Sequence, residues 1–339
     1  MQESVDRKPV SRAEFLKLGG AGLAGAALLG VAGCAGGGGA EYPGGRSIRL
    51  IAPAEPGSGW DTTARAMADV LEGQELIDHP LPVENQVGAT GAVWLSQMVN
   101  EYEGADDVIA VTSLPIMSNY LRGDSDYSYE DVTMISRFIT EYYLAVVPAD
   151  SPYESLDDLV NAVKQDADAV PFGAAGDDRL PFALLVQEGG GDPQSINFVA
   201  YEGGGEQIAA LLNGDIEAAV AGVSEWRAQI EAGKLRGLAV IRNGRLTAPL
   251  DDIPTAKDLG YDVELPNWRG IYGPPGMPEE AVTYWQNTTQ EMTKTEAWAK
   301  TAAKNQWETT YMEGKELSAF LDETNKSVRR GLEETGEMG

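Results

Sequence analysis

Cysteine and histidine are almost absent from this chain, which has one of each in 339 residues. A single cysteine excludes an intramolecular disulfide framework and a cysteine-rich metal site. A Ser-His-Asp triad would have to use His79, and the sequence contains no Gly-x-Ser-x-Gly nucleophile elbow. His79 stands in the loop-like segment Asp78-His79-Pro80, which predicts a solvated imidazole. We therefore expect no catalytic residues, no metal site and no cofactor.

Positive charge is also scarce. Lysine and arginine number 25 against 53 aspartates and glutamates, which gives a formal net charge of −28. This balance argues against a nucleic-acid partner, whose recognition needs basic faces, and against a polybasic patch on anionic lipid. A strongly acidic surface favours a soluble monomer. It also repels anionic ligands, so any anion must be held by local groups.

The apolar run at residues 18–33 is too short for a transmembrane helix and follows a cationic segment. It ends at Val31-Ala32-Gly33-Cys34, which resembles the lipobox of bacterial lipoproteins. We expect a lipoprotein signal peptide at 1–33, lipidation of Cys34 and a flexible tether at 34–45. The protein would then be exported and attached to the outer face of the cytoplasmic membrane only through this lipid. The export route stays open, because Ala13 replaces the second arginine of a twin-arginine signal.

From Ser47 onward, short apolar runs alternate with longer amphipathic stretches. "SIRLIAP" predicts a strand, and "WDTTARAMADVLEG" predicts a helix with Asp61 or Thr62 near its N-cap. Near the end of the chain, "EEAVTYWQNTTQEMTKTEAWAKTAAKNQ" and "GKELSAFLDETNKSVRRGLEE" predict one helix each. The alternation predicts an α/β fold with parallel sheets and ligands at the carboxyl ends of the strands. The chain is long enough for two such cores.

Glycine-rich corners between a strand and a helix occur at residues 56–61, 172–180 and 201–205. A helix N-terminus has unpaired N–H groups and a partial positive charge, so it binds anions without a cationic side chain. Two or three such corners that face one cleft would hold a ligand with more than one carboxylate. Each corner taken alone is more simply a turn. The first corner, "PGSGWD", matches neither the dinucleotide fingerprint nor the P-loop, which argues against a nucleotide ligand.

Side chains beside these corners have two interpretations each. Trp60 is either a core residue or the wall of a ligand pocket. Arg179 is either a fork for a ligand carboxylate or the salt-bridge partner of a surface acid. Asp177 and Asp178 are interpreted as N-cap residues rather than calcium ligands, because no EF-hand-like loop surrounds them.

Five segments match the motifs of one protein family in the same order along the chain. Each motif alone is weakly defined, but the five in this order are specific. They are "SIRLIAPAEPGSGWDTTARAMADVL", "VENQVGATGAVWL", "FGAAGDDRLPFALL", "FVAYEGGGEQIAALLNGDIEAAVAG" and "EAGKLRGLAVIRNGRLTAPLDDIPTAKDLGYDVELPNWRGIYGPPGMPEE". Together they resemble the substrate-binding proteins of tripartite tricarboxylate transporters, the TctC or Bug family. The resemblance covers residues 44–330.

The resemblance implies an α/β fold of the type II periplasmic-binding-protein kind, a Venus flytrap of two lobes joined by a hinge. With chain crossings near Glu141 and Asp262, we expect lobe 1 at 46–141 plus 263–339 and lobe 2 at 142–262. Relatives hold the ligand at the corners of both lobes, largely through backbone amides and water. The matching candidate ligand-binding residues here are Pro56, Gly57, Ser58, Gly59, Trp60, Asp61, Asn85, Thr112, Ser113, Gly173, Ala174, Ala175, Gly176, Asp177, Asp178, Arg179, Tyr201, Gly203, Gly204 and Gly205.

The chain departs from the family pattern at two places. Relatives often have Asp-Asp-His in the second corner, where this chain has Asp177-Asp178-Arg179, so the histidine of that motif has no counterpart here. Ser58 replaces one glycine of the more usual Pro-Gly-Gly-Gly corner. We expect its extra hydroxyl to influence which carboxylate ligand the site selects.

The function that the resemblance implies is an exported solute-binding lipoprotein. It would capture a citrate-like di- or tricarboxylate as a monomer and deliver it to the permease subunits of the transporter. A surface sensor that presents a carboxylate to a signalling kinase fits the same sequence. An exported hydrolase or isomerase fits less well, because the nucleophile elbow is missing and His79 is alone.

Overall fold

The computed structural model describes residues 42–339. The predicted signal peptide, Cys34 and most of the predicted tether lie outside the described residues. Within the described residues, no helix is both long enough and apolar enough to cross a membrane.

Strands and helices alternate along the described chain. The strands are β1 (Arg49–Ala52), β2 (Val83–Asn85), β3 (Val108–Thr112), β4 (Thr133–Pro148), β5 (Phe172–Ala175), β6 (Phe198–Tyr201), β7 (Ala218–Gly222), β8 (Leu235–Ile241), β9 (Pro266–Gly273) and β10 (Glu308–Glu313). The helices are α1 (Gly59–Gly73), α2 (Ala92–Glu101), α3 (Pro115–Arg122), α4 (Leu156–Gln165), α5 (Arg179–Glu188), α6 (Gly204–Asn213), α7 (Val223–Glu231), α8 (Glu279–Lys294), α9 (Glu296–Asn305) and α10 (Gly314–Thr335). The predicted alternation is therefore confirmed from β1 to β8.

All the strands belong to one sheet in the order β2-β1-β3-β9-β4-β7-β5-β6, and β8 and β10 pair with β4 beside this path. The groups β2-β1-β3 and β6-β5-β7 are parallel, as predicted. The pairs that β4 forms with β7, β8, β9 and β10 are antiparallel, and so is the pair of β3 with β9. The prediction of parallel sheets is thus wrong for the middle of the sheet. The physical reason is that β9 and β10 return to the first group after the chain has formed the second.

Strand β4 joins the two groups of parallel strands. Its residues up to Tyr142 pair with β9 and β10, and its residues from Tyr143 onward pair with β7 and β8. We call β1, β2, β3, β9 and β10 the first half of the sheet, and β5 to β8 the second half. Because β4 belongs to both halves, the sheet alone does not divide the chain. The lobe bounds 46–141 plus 263–339 and 142–262 therefore stay a prediction.

Short polar residues determine where several helices begin. Ser58 is the N-cap of α1, since its Oγ accepts a hydrogen bond from the Asp61 amide at 3.3 Å. Asp61 lies near this N-cap, as predicted, in the first turn of α1, which begins at Gly59. Helix α4 begins with a full capping box formed by Ser155 and Asp158.

The stretch predicted as one helix after residue 279 is two helices, α8 and α9. Thr295 interrupts it with an extended backbone, φ −76° and ψ 149°. Its Oγ1 accepts a hydrogen bond from the Trp298 amide at 3.0 Å and so caps α9. A β-branched residue with a capping hydroxyl favours such a break, which helical periodicity does not reveal.

The hydrophobic core runs through both halves of the sheet. One cluster of buried side chains lies in the first half and another in the second. A third cluster contains residues of both, including Ile51 of β1 and Phe172 of β5. Trp226 in the second half donates from its ring nitrogen to the Leu144 carbonyl of β4 at 3.0 Å. The packed core therefore supports the strand ends of both halves at the same edge.

Candidate functional site

A cavity lies between the two halves at the carboxyl ends of β1, β3, β5, β6 and β7. Its volume is about 480 Å³, including the part that opens to solvent. The residues that line it are Ala54, Ser58, Gly59, Trp60, Thr90, Ser113, Pro115, Tyr143, Ala175, Asp178, Glu202, Gly203, Glu225, Asn267 and Arg269.

The first corner, residues 56–61, places the N-terminus of α1 at this cavity. Gly57 has a φ of +84°, a left-handed conformation that side chains rarely adopt. Its amide donates to Asp61 Oδ2 at 2.8 Å and is therefore not available to a ligand. The amides of Gly59 and Trp60 donate to no other group within residues 42–339. These two amides are the anion-binding groups that α1 offers.

Asp61 supports the first corner from beneath. Besides the Gly57 amide, its carboxylate accepts hydrogen bonds from Asn85 Nδ2 at 2.9 Å and Arg65 Nε at 3.0 Å. Burial by itself raises the pKa of Asp61, but the hydrogen bonds from Arg65, Gly57 and Asn85 together lower it below its usual value. Asn85 also donates to the Ala54 carbonyl at 2.9 Å. Asp61 and Asn85 thus hold the corner rather than line the cavity.

The second corner, residues 172–180, is held by ion pairs with the first half. The buried Asp177 carboxylate accepts a hydrogen bond from Arg122 of α3 at 2.7 Å and another from Ser118. The Nε of Arg179 forms an ion pair with Glu337 at 2.7 Å, and its side chain is 37% exposed. Asp178 occupies the N-cap position of α5, but its side chain makes no capping hydrogen bond. The N-cap interpretation is therefore right for the position of Asp178, although its side chain lines the cavity instead of capping α5, and it is wrong for Asp177, which pairs with Arg122.

The third corner, residues 201–205, lies directly against the first. A Cβ at Gly203 would lie 3.1 Å from the Ser58 Cβ, so the two corners leave little room between them. The Gly204 amide donates to Glu225 Oε2 at 3.0 Å, and the Gly222 amide donates to Glu225 Oε1 at 3.3 Å. Ser58 and Gly203 therefore form opposite walls of a narrow cleft.

A buried ion pair forms part of the cavity wall. Arg269 donates to the Gly59 carbonyl at 2.7 Å and to Thr63 Oγ1 at 2.8 Å, and it pairs with Glu141 of β4. Glu141 also accepts a hydrogen bond from the Ser224 amide at 2.7 Å. The Arg269 and Glu141 side chains are 2% and 0% exposed. The pair connects α1 in the first half to α7 in the second.

Two further carboxyl groups face the cavity. Burial, followed by repulsion from Glu225 and Asp177, raises the pKa of Asp178 well above its usual value. Burial also raises the pKa of Glu225, although Arg269 acts in the opposite direction. Burial and then the nearby Asp178 raise the pKa of the Tyr143 hydroxyl. The cavity is therefore electrically asymmetric, with helix amides at the first corner and carboxyl groups on the side of the second half.

The structure brings part of the predicted set together. The predicted residues that line the cavity are Ser58, Gly59, Trp60, Ser113, Ala175, Asp178 and Gly203. Pro56 and Gly205 line an adjoining pocket that shares Ser58 and Gly203 with the cavity. Ala174, Gly176, Arg179 and Tyr201 line a neighbouring pocket. Thr112 lies in a small space behind Trp60, while Gly173 packs against Ile216 in the core. Trp60 satisfies both of its interpretations, because it is 8% exposed and donates to Ser113 Oγ at 3.0 Å in the cavity wall.

Several cavity residues were absent from the predicted set, namely Ala54, Thr90, Pro115, Tyr143, Glu202, Glu225, Asn267 and Arg269. Arg269 and Asn267 lie within β9, whose sequence "PNWRGIYG" contains polar residues among apolar ones. Glu141 similarly interrupts the apolar residues of β4. A charge inside a buried strand is the signal that could have identified this part of the site.

The prediction of a solvated imidazole at His79 is wrong. His79 is 9% exposed, and its Nδ1 lies 3.0 Å from Asp78 Oδ1. The neighbouring Ile77 and Leu81 are buried in the core of the first half, so the segment between them, which contains His79, packs against the protein. His79 does not line the cavity. Among the described residues, no group of three or more His, Cys, Asp or Glu side chains is arranged to hold a metal ion.

Two α/β halves with a polar cavity at the strand ends are the architecture of periplasmic-type binding proteins. Solved structures share this fold. An R. palustris protein with adipate aligns with a TM-score of 0.79 and 20% identity over 87% of this chain and 98% of that chain. MatC from Rhodopseudomonas palustris with bound malate aligns with a TM-score of 0.74 and 18% identity over 85% of this chain and 99% of that one.

The chain belongs to the tripartite tricarboxylate transporter family receptors, TctC, whose family model matches residues 63–336. A curated relative, the "UPF0065 protein in gbd 5'region" of Cupriavidus necator, is 26% identical over 294 residues, which cover 86% of this chain and 88% of the relative. The family predicted from the five sequence segments is confirmed, and so is the two-lobed binding-protein fold.

Proposed function

We propose that this chain is an exported lipoprotein that captures a small carboxylate in the cavity and delivers it to the permease subunits of a tripartite tricarboxylate transporter. The observation that carries the proposal is the pair of unpaired amides at Gly59 and Trp60, which face the cavity at the N-terminus of α1. Such amides bind a carboxylate through charge-assisted hydrogen bonds. The adipate and malate bound by structural relatives support the same ligand class.

The remaining groups of the cleft have supporting roles in this proposal. The Ser58, Thr90 and Ser113 hydroxyls line the same cavity and add hydrogen-bonding capacity near the first corner. The ligand would be clasped between a lobe at 46–141 plus 263–339 and a lobe at 142–262. Several charge-assisted bonds are compatible with micromolar affinity, which corresponds to about −8 kcal/mol. We infer a binding role without catalysis.

Isothermal titration of the purified protein with succinate, malate, adipate and citrate tests carboxylate capture. We expect saturable binding of at least one of them, with a smaller radius of gyration by X-ray scattering when the ligand is bound. If the whole panel produces neither heat nor a change in the radius of gyration, the proposed capture is wrong.

Delivery is tested with the cognate permease subunits in proteoliposomes. We expect uptake of the bound carboxylate only when both the permease and this protein are present. Binding without any stimulation of uptake would instead favour a sensor that presents the carboxylate to a signalling kinase.

Lipid attachment at Cys34 is a separate part of the proposal. In cells that export the full chain, mass spectrometry of the mature N-terminus should find acylated Cys34, and the protein should sediment with membranes. Cys34→Ser should release the protein in soluble form with its ligand affinity unchanged. An unmodified N-terminus at another residue would contradict this assignment.

A further inference from the structure

The segment that follows α10, residues 336–339, lies between α3 of the first half and α5 of the second. We propose that this segment is a strap, which holds the second corner against α3 through the Glu337 carboxylate and slows the release of the ligand. The inference rests on the proposed function where it concerns the ligand. The strap itself can be measured in the ligand-free protein.

Helix α10 passes from the first half of the sheet to the second. It follows β10 directly, and Phe320 packs edge-on against Trp268 of β9, with ring centroids 5.8 Å apart. Further along, the backbone of Gly331 lies against α5, because a Cβ there would be 3.4 Å from the Leu180 Cδ1. A helix packed on the first half therefore brings the strap to the second corner.

The strap turns back as soon as α10 ends. Gly336 has a left-handed φ of +73°, and the Glu337 amide donates to the Leu332 carbonyl at 2.8 Å. This is a common way for a helix to stop. The Gly339 amide then donates to the Leu121 carbonyl of α3 at 3.2 Å. The turn therefore keeps the strap against the first half.

The ion pairs at the strap are balanced only when Glu337 is in place. Arg122 of α3 pairs with Asp177 at 2.7 Å and with Glu337 at 3.2 Å, while Arg179 of α5 pairs with Glu337 at 2.7 Å. Two guanidinium groups thus face two carboxylates. Within residues 42–339, Glu337 is the only carboxylate that pairs with Arg179. Without it, two arginines from opposite halves would share one carboxylate.

Burial makes this imbalance effective. The side chains of Arg122 and Asp177 are buried, and that of Glu337 is 17% exposed. Charges in such a place are screened less than charges on the surface, so the two arginines would repel one another. Among the acids that raise the pKa of Arg122, Asp177 and Glu337 act more strongly than Asp124. Glu337 therefore attracts both halves, and its removal would drive them apart.

The second corner connects the strap to the ligand cavity. Asp178, which stands between Asp177 and Arg179, lines the cavity, and so does Ala175 of β5. Pro115, the first residue of α3, lines it from the other half. Movement of the second corner away from α3 would therefore change the cavity. A ligand that favours the strapped arrangement is in turn held more tightly by it.

Glu337→Gln removes the charge of the strap and keeps its shape. In the ligand-free protein we expect a larger radius of gyration by X-ray scattering and faster hydrogen exchange at the amides of residues 172–180. A chain that lacks residues 336–339 should show at least the same changes. Glu334→Gln alters an exposed glutamate of α10 and should change neither measurement. Unchanged scattering and exchange in Glu337→Gln and in the shortened chain would overturn the inference.

A double substitution tests the bridge to Arg179. Arg179→Gln combined with Glu337→Gln should recover part of the change in exchange caused by Glu337→Gln, because Arg122 then keeps Asp177 and no second arginine is left without a carboxylate. Circular dichroism verifies that each variant is folded. Effects of the two substitutions that simply add would overturn the inference.

Ligand release is measured by stopped-flow dissociation and isothermal titration with succinate, malate, adipate and citrate. For a carboxylate that binds, Glu337→Gln should raise the dissociation rate and weaken the affinity about fivefold or more. Ser155→Ala, which removes a helix cap away from the cavity, should change neither. An unchanged dissociation rate in Glu337→Gln would overturn the inference and leave carboxylate capture intact. If none of the four compounds binds, the proposed capture is wrong, and scattering and exchange still decide whether the strap holds the two halves together.

Discussion

At the scale of the residue, the Arg269–Glu141 pair is the contact whose loss we expect to be most damaging. Arg269→Met would leave the fully buried Glu141 carboxylate without its cation. Removing one partner of a buried ion pair typically costs about 3–5 kcal/mol. Urea denaturation at neutral pH should show a loss of this size in the free energy of unfolding.

Two control variants test whether the loss of stability in Arg269→Met comes from the unpaired Glu141 charge. Arg269→Met combined with Glu141→Gln should recover part of the loss, because no buried charge is then left alone. Lys294→Ala breaks a pair in which both side chains are more than half exposed, at 58% and 59%, and should change stability by less than about 1 kcal/mol. A loss for Arg269→Met as small as that for Lys294→Ala would contradict the structural role.

Asp178 should make stability depend on pH in the direction opposite to that of most acids. Its pKa in the folded state is raised above the unfolded value, chiefly by burial. The folded state therefore binds the proton more tightly, and stability falls as pH rises from the unfolded pKa through the folded pKa. Asp178→Asn should be more stable than the unchanged protein at pH 8, and this advantage should shrink as the pH approaches 4. Melting temperatures across that range measure it.

Asp258 is the control with the opposite sign. Hydrogen bonding to the Thr255 amide lowers its pKa, so its stabilising effect is present above the unfolded pKa and lost as pH falls. Asp258→Asn should therefore lower the melting temperature at pH 8. If Asp178→Asn and Asp258→Asn shift it in the same direction at pH 8, the assigned environment of Asp178 is wrong.

The sequence predicts individual site residues only where local structure determines their role. Ser58, Gly59 and Trp60 follow directly from a strand–helix corner, and all three line the cavity. Arg269 and Glu141 are far apart in the chain and meet only because β9 pairs with β4, where Asn267 lies opposite Glu141. That long-range pairing is not contained in any local pattern, so the ion pair was not predicted.

At the scale of the element, two serine caps offer a matched pair of substitutions. Ser58 caps α1 at the cavity, and Ser155 caps α4 away from it. Ser58→Ala and Ser155→Ala should each lower the free energy of unfolding by about 1 kcal/mol, the usual effect of a lost N-cap. Only Ser58→Ala should also lower the affinity for the carboxylate that binds in the isothermal titration panel. Equal affinities in the two variants would exclude Ser58 from binding.

Elements with clear periodicity were predictable and the others were not. The alternation from β1 to β8 could be inferred because each apolar run is followed by an amphipathic helix. Strand β10 escaped prediction because its sequence "ETTYME" is polar and only partly buried. The break between α8 and α9 depends on the backbone of one residue, Thr295, within an otherwise helical pattern.

At the scale of the whole molecule, Asp177 connects the second corner to α3 across the cleft. Its partners Ser118 and Arg122 both belong to α3. Asp177→Asn would remove the charge that pairs with Arg122 and leave Glu337, at 3.2 Å, as the remaining partner. We expect a larger radius of gyration without ligand by X-ray scattering and weaker ligand binding, because the two sides of the cleft lose a buried contact.

Glu231→Gln is the control for this prediction. It breaks the Arg227–Glu231 pair inside α7, which connects no separate parts of the sheet. The radius of gyration and the ligand affinity should both be unchanged. An identical scattering profile for Asp177→Asn and the unchanged protein would show that this contact does not hold the two sides of the cleft together.

Strand β4 also has a consequence for the order in which the protein folds during synthesis. The strands that pair with its second part, β7 and β8, follow it before residue 242, whereas β9 and β10 begin only at Pro266 and Glu308. The second half can therefore assemble while the first half still lacks its middle strand. Until β9 arrives, β3 has an open edge, which is the kind of surface that chaperones protect and aggregates exploit. The part of the chain that is made first is thus the last to be completed.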